Sequence, residues 1–250
     1  MSKYTDINSK TIDRWVKEGW EWGIPIDHNT FLDAKNGKWD VLLTPTKPMP
    51  KEWFPESIRG LKILGLASGG GQQMPIFKAL GADVTVLDYS SEQLKSEEMV
   101  AKRENYSINI IRYDMSNPLP FKDEEFDIIF HPVSNVYVED VKSIFRECYR
   151  ILKKGGILVS GLDNGINFIT NDEITIENKM PFNPLKNQEQ MDRLIEEDDG
   201  IQFSHTLEEQ IGGQLETGFI ITDLYEDTNG YGRLHELNVP CFFATRSIKK

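Results

Sequence analysis

The chain reads as an α/β fold: a mostly parallel sheet of seven strands with an antiparallel last strand, helices on both faces, and an N-terminal helical segment laid over it. Three observations predict this. From Leu61 onward, short apolar runs alternate with amphipathic stretches, the pattern of parallel strands joined by helices. Two later apolar runs, 219–224 and 241–245, are close enough to form an antiparallel pair. All five tryptophans lie within the first 53 residues, ahead of the alternation, which sets that segment apart.

At 250 residues the chain is long enough for a substantial core and is read as one domain. Within it we distinguish a lid segment at 1–58, a core at 59–162, an insertion at 163–216 and a closing strand pair at 217–250. The 39% hydrophobic and 27% charged fractions are ordinary for a globular protein. No apolar run approaches the length that spans a bilayer, and the opening MSKYTDINSK lacks the apolar core of a signal peptide. The expected location is therefore cytoplasmic, with no membrane partner. A net charge of −12 repels a phosphate backbone and no basic patch offsets it, so no nucleic-acid partner is expected. Cys148 and Cys241 each sit inside an apolar pattern without a CxxC or a nearby histidine, which makes them reduced core residues and leaves no metal site.

Taken in order, Ile12, Trp15, Val16 and Trp20 share one helical face, and Pro45, Pro48, Pro50 and Pro55 make the next stretch an extended connector. Strands are predicted at 62–66, 83–87, 109–113, 126–130 and 157–160. A helix follows the first at 74–80. Ser90 with Gln93 three residues on resembles a capping box for the next helix. Val141, Ile144, Phe145, Cys148, Ile151 and Leu152 recur at helical spacing, and Gly155-Gly156 is expected to end that helix. A last helix is placed at 207–215, and residues 227–238 join the closing pair.

The first strand runs into Ala67-Ser68-Gly69-Gly70-Gly71-Gln72-Gln73 and then a helix. Glycines let the backbone turn sharply and let a ligand approach, and the helix N-terminus offers free N–H donors. The second strand ends at Asp88, about twenty residues beyond the glycines, where a carboxylate accepts hydrogen bonds from ribose hydroxyls. A dinucleotide site wants a small third residue where this chain has Met74, so the turn suits a ligand without a pyrophosphate.

These residues resemble the class I S-adenosylmethionine-dependent methyltransferases, within the small-molecule group related to quinone-biosynthesis methyltransferases. The resemblance covers 61–160 and is carried by Ile63 to Gly71, Val86 to Ser90, Tyr113-Asp114-Met115, Leu119-Pro120-Phe121 with Phe126 to Phe130, and Arg150 to Leu158. It implies a Rossmann-like fold and S-adenosyl-L-methionine as cofactor. By the resemblance Ala67, Ser68, Gly69, Gly71 and Gln72 hold the methionine portion, Asp88 the ribose, Asp114 and Met115 the adenine, and Tyr89 packs against the ring. Two departures stand out: Gly65 where the family often carries an acidic residue, and Ala67 at the first glycine.

Methyl transfer from a sulfonium is largely a matter of positioning and water exclusion, and a base is needed only if the acceptor must lose a proton. By the family's layout, the stretch from His131 to Asn135 lies beside the cofactor. His131 is thus a cofactor-site and catalytic candidate, His205 a second catalytic candidate, and Asn135, Trp15 and Trp20 substrate-binding candidates. The acceptor is a small molecule, acted on by a monomer or homodimer. A non-catalytic S-adenosylmethionine-binding protein shares the entire cofactor site, and a nicotinamide-dependent oxidoreductase shares the turn and Asp88 but fits Met74 poorly.

Overall fold

The computed structural model describes residues 3–250; Met1 and Ser2, the start of the expected lid segment, lie outside the described residues. Strands β1 (Lys62–Leu66), β2 (Asp83–Asp88), β3 (Asn109–Arg112), β4 (Phe126–His131), β5 (Leu152–Asp163), β6 (Phe219–Asp227) and β7 (Phe242–Lys249) form one sheet in the order β3-β2-β1-β4-β5-β7-β6. β7 is antiparallel to both β5 and β6, and the other pairings are parallel. The Rossmann-like sheet read from the sequence is therefore present, with its antiparallel last strand inserted inside the edge.

Side chains alternate between two cores, because successive residues of a strand face opposite sides. Ile63, Val84, Val86, Ile128, Phe130, Ile157 and Val159 enter one core with Met74, Ile76 and Phe77 of helix α3 (Gln73–Ala79). Leu64, Leu66, Leu87, Ile129, Leu158 and Leu162 enter the other with Val141, Ile144, Phe145, Cys148 and Ile151 of helix α5 (Val141–Ile151). Helix α4 (Ser91–Glu104) starts as predicted: the Ser90 hydroxyl accepts from the Gln93 N–H at 3.2 Å.

One local expectation is corrected. The helix α5 ends at Ile151, not at Gly155-Gly156; Leu152 already pairs with Phe126, and the left-handed Gly155 sits where the β4–β5 register slips. The late helix is present where expected, as a π-helical turn at Glu208–Gly212 followed by α8 (Gly213–Thr217). The insertion also carries α6 (Ile166–Ile169) and α7 (Gln188–Glu197), and α9 (Gly232–Glu236) interrupts the β6–β7 connection.

The N-terminal segment divides in two. Its later part, after α2 (His28–Lys35), places Val41, Leu43, Met49, Trp53 and Phe54 in the first core, so Trp53 covers the sheet. Its first helix, α1 (Tyr4–Lys17), buries Thr5, Asn8, Ser9 and Thr11 most fully, while Ile12, Trp15 and Val16 of the predicted face are half-buried. Trp20 lies beyond the end of that helix and packs against Trp15 with ring centroids 5.4 Å apart. Among the described residues, no helix is long and apolar enough to cross a membrane.

Candidate active site

A cavity of about 330 Å³ opens at the carboxyl ends of the parallel strands, the usual binding crevice of such sheets and within the size of small-ligand pockets. β1 delivers Ala67, Ser68, Gly69 and Gln72 to its wall; β2 delivers Asp88 and Tyr89; the turn after β3 delivers Asp114 and Met115. Eight residues expected at the cofactor thus meet around one space.

The turn is shaped by its backbone. Ala67 adopts φ 48° and its N–H donates to the Leu87 carbonyl at 2.8 Å, which ties the turn to β2. A Cβ on Gly70 would lie 2.5 Å from the Trp22 carbonyl oxygen, and one on Gly71 would strike Pro25 and Ser96. Gly71, expected at the cofactor, does not line the cavity. It lies behind the cavity wall, with its N–H on Glu97 Oε1 at 2.8 Å, because the N-terminal segment packs across the back of the turn. Gly65 likewise has a packing reason: a Cβ there would approach Met74 Sδ to 2.5 Å, so the strand glycine makes room for the methionine in the third-glycine place.

Asp88 accepts from the Gly69 N–H at 3.0 Å through one oxygen and from the Ser90 N–H at 2.9 Å through the other. Burial holds its carboxyl above the usual range, although those amides pull the other way. Each oxygen keeps acceptor capacity toward the cavity. Asp114 is occupied differently. Its Oδ2 accepts from Lys3 Nζ at 2.6 Å and Thr5 Oγ1 at 3.0 Å, and its Oδ1 from the Ser116 N–H and hydroxyl. Burial alone raises its pKa, but the bonds from Lys3, Ser116 and Thr5 hold it below the ordinary value. These four donors fill the sites a carboxylate offers, so Asp114 accepts a further donor only where one of them yields.

α1 lies over this wall by further polar contacts. Asp6 accepts from the Tyr89 hydroxyl at 2.6 Å, Ser9 donates to the Tyr89 carbonyl, Asp13 accepts from the Ser90 hydroxyl, and Asn8 exchanges two hydrogen bonds with the Ile201 backbone. Trp20 and Trp22 line the cavity, and Trp15 does not.

The structure places both candidate histidines, His131 and His205, in the interior. His131 is fully buried, with Nδ1 on the Leu66 carbonyl at 2.9 Å and Nε2 on the Asn135 side-chain amide at 2.8 Å. Burial lowers its pKa, while the Leu66 and Asn135 acceptors pull the other way. Asn135 in turn bonds Gln210, which reaches the Asp163 carbonyl, so its side chain links β4 to the π-helical turn and the end of β5. His205 donates its Nε2 side to the Asn135 carbonyl at 3.0 Å and is also buried. None of the three lines the cavity.

The sequence reading missed Asp163, the last residue of β5, together with Tyr137, Asn167, Phe168 and Phe242, all of which line the cavity. The signal for Asp163 was available: a carboxylate closing a parallel strand stands where ligands bind. It was overlooked because the predicted strand stopped at residue 160.

The residues fit an adenosyl cofactor: a carboxylate with free lone pairs at the end of β2, a turn whose back is sealed, and an apolar wall from Leu87 and Met115. Residues 64–160 match the family described as a methyltransferase domain. The chain is 42% identical over its full length to the full length of the uncharacterized methyltransferase YbaJ of Bacillus subtilis. A demethylmenaquinone methyltransferase of Renibacterium salmoninarum is 33% identical over 103 residues, 41% of each chain. Among solved structures, an S-adenosylmethionine-dependent methyltransferase from Mesorhizobium loti aligns with a TM-score of 0.62 at 21% identity, over 80% of this chain and 95% of that one. The magnesium protoporphyrin IX methyltransferase of Synechocystis, solved with bound S-adenosylhomocysteine, shares the fold at a TM-score of 0.52 and 12% identity, over 77% of this chain and 75% of that one. Sheet order, site and full-length likeness agree: the chain belongs to the S-adenosylmethionine-dependent methyltransferases.

Proposed function

We propose that the chain methylates a small molecule held on the β4–β5 side of the cavity, beneath a lid made of α1 and the Trp20–Trp22 stretch. The observation that carries this reading is the continuity of the cavity. The same space that Asp88 and the turn border extends past Pro132, Ser134 and Tyr137 to Asp163, Phe168 and Phe242.

When bound, S-adenosylmethionine supplies an activated methyl group whose leaving group is a neutral thioether. Everything else falls to this chain. Asp88 holds the ribose hydroxyls, Ala67, Ser68, Gly69 and Gln72 border the methionine portion, and Leu87, Tyr89 and Met115 enclose the base. The Trp20 and Trp22 rings and the polar underside of α1 keep water from the transfer space. His131 sets the shape of the β1 and β4 ends and takes no proton from the acceptor.

Purified chain incubated with S-adenosylmethionine and amine, phenol and thiol acceptors tests the proposal. S-adenosylhomocysteine released only in the presence of an acceptor supports it. Binding of the cofactor with no release across the panel favours a non-catalytic binder instead.

A further inference from the structure

The cavity is bordered by three carboxylates, Asp88, Asp114 and Asp163, and among its described lining residues there is no Lys, Arg or His. An anionic acceptor would find no counter-charge there. Two of the carboxylates already have work: Asp114 pairs with Lys3, and Asp88 stands at the end of β2 with the turn amides. Asp163 differs. It is 2% exposed and has no ion-pair partner among the described residues. Its Oδ1 accepts from the Gly165 N–H at 2.5 Å, and its Oδ2 takes only the Asn167 amide at 3.3 Å. A buried carboxylate without a cation is costly to ionise, and burial pushes this one up to about 7. The ionisable neighbour that senses it is the Cys241 thiol, itself raised to about 11 by burial first and by Asp163 and Glu173 next.

Aromatic rings stand at the same corner. Phe242 is the register partner of Asp163 across β5 and β7, and Phe168 follows five residues on in α6; both line the cavity. Aromatic faces beside a carboxylate form a receptor for an organic cation. The net charge of −12 draws cations toward the protein at long range.

We propose that the methyl acceptor is a primary or secondary amine on an apolar body, seated with its nitrogen on Asp163 and Asn167 and its body against Phe168 and Phe242, and that Asp163 is the catalytic residue that takes its proton. This rests on the methyl-transfer reading above. The ammonium N–H bond breaks with its proton passing to an Asp163 carboxylate oxygen and its electron pair staying on nitrogen. That pair forms the N–CH₃ bond as the C–S bond breaks, its electrons remaining on sulfur. The product leaves as the methylated ammonium, S-adenosylhomocysteine is neutral at sulfur, and the proton on Asp163 returns to solvent.

The test is calorimetric. The full chain is titrated with S-adenosylhomocysteine at about pH 8, where Asp163 is ionised, and the loaded protein is then titrated with benzylamine, 2-phenylethylamine and tryptamine. Each amine is compared with its alcohol and carboxylate counterparts. At least one amine is expected to bind about tenfold more tightly than both counterparts, as befits a charge-assisted contact. Asp163→Asn, which keeps the acceptor for Gly165, is expected to erase that preference with S-adenosylhomocysteine affinity unchanged, and the preferred amine should yield its N-methyl product with S-adenosylmethionine. The proposal is overturned if no amine outbinds its counterparts, if a carboxylate binds best, or if the preference survives in Asp163→Asn. The wild-type comparison decides the matter even if the variant does not fold. Failure of the wild type to bind S-adenosylhomocysteine would instead overturn the methyl-transfer reading beneath it.

Discussion

Gly65 and Met74 show how a single side chain sets what a neighbouring position tolerates. Met74 is fully buried over β1, and a Cβ on Gly65 would meet its sulfur at 2.5 Å. Gly65→Ala is therefore expected to destabilise the fold by about 1–3 kcal/mol through overpacking, and the loss should shrink when Met74→Ala is added, as a denaturation double-mutant cycle will show. Asp88→Ala removes an acceptor from the end of β2 and leaves the Gly69 and Ser90 amides unpaired. S-adenosylhomocysteine affinity should fall more than about tenfold, the scale of hydrogen bonds to a charged acceptor; unchanged affinity by calorimetry would remove Asp88 from the ribose. His131 behaves oppositely. Because both ring nitrogens are spent on Leu66 and Asn135, His131→Gln is expected to lower stability by about 1–3 kcal/mol. The turnover profile between about pH 6 and 9 should keep its shape, far from the roughly hundredfold loss of a general base.

Helix α1 is the element on which the proposed lid depends. Its buried face is polar: Thr5, Asn8 and Ser9 reach Asp114, Ile201 and Tyr89 rather than an apolar core. Hydrogen bonds of this kind fix a geometry while adding little net free energy, so α1 can lift without unfolding the sheet. Lys3 and Asp114 make the attachment pH-dependent. Asp114 has a depressed folded-state pKa, so its contribution is present above the unfolded value and is lost as pH falls through the folded one. The Asn8 exchange with Ile201, at 2.9 and 2.6 Å, joins α1 to the stretch after α7. Asn8→Ala should speed amide hydrogen exchange in α1 and around Ile201 by about tenfold, leaving β1, β4 and β5 protected, because it releases a local rather than a global unit. Exchange accelerated throughout the sheet would mean that α1 belongs to the core.

For the molecule as a whole, two buried carboxyls tilt stability with pH. Glu97, under the turn, is pushed up to about 8 by burial, against the Gly71 N–H that favours its charge and with Asp88 adding to the rise; Asp163 is pushed up to about 7. Each binds a proton in the folded state that it has released in the unfolded one, between the ordinary carboxyl range and its raised value. The native state therefore holds more protons there, and stability falls as pH rises through that window. Glu97→Gln keeps an acceptor for Gly71 and removes one titration. Urea denaturation from about pH 5 to 9 should show a shallower decline for the variant than for the wild type; parallel curves would mean that Glu97 titrates normally.

How much was legible beforehand follows from what each feature depends on. The strands from β1 to β5, the capping of α4, the turn, Asp88 and the Asp114-Met115 pair were readable because periodicity, caps and glycine turns are local properties of adjacent residues. The fate of His131, Gly71 and α1 was not, because it depends on partners far along the chain. His131 is consumed by Leu66 and Asn135, Gly71 by Glu97, and the polar side of α1 by Asp114, Tyr89 and Ile201. Periodicity weighs apolar residues only, and so it registered Ile12 but not Thr5, Asn8 and Ser9, which share its face of α1 and line the same cavity. Asp163 has a local signal, a carboxylate closing an apolar run, but its neighbour does not: β5 runs past Ser160 to the rim, where β7 lies alongside and sets Phe242 beside the carboxylate. The amino-acid sequence by itself determined the sheet, the turn and the carboxylate at the end of β2, since each is written in neighbouring residues. Tertiary structure alone decided which polar groups face the cavity and which satisfy one another, because a buried donor or acceptor takes whatever partner the fold brings within reach.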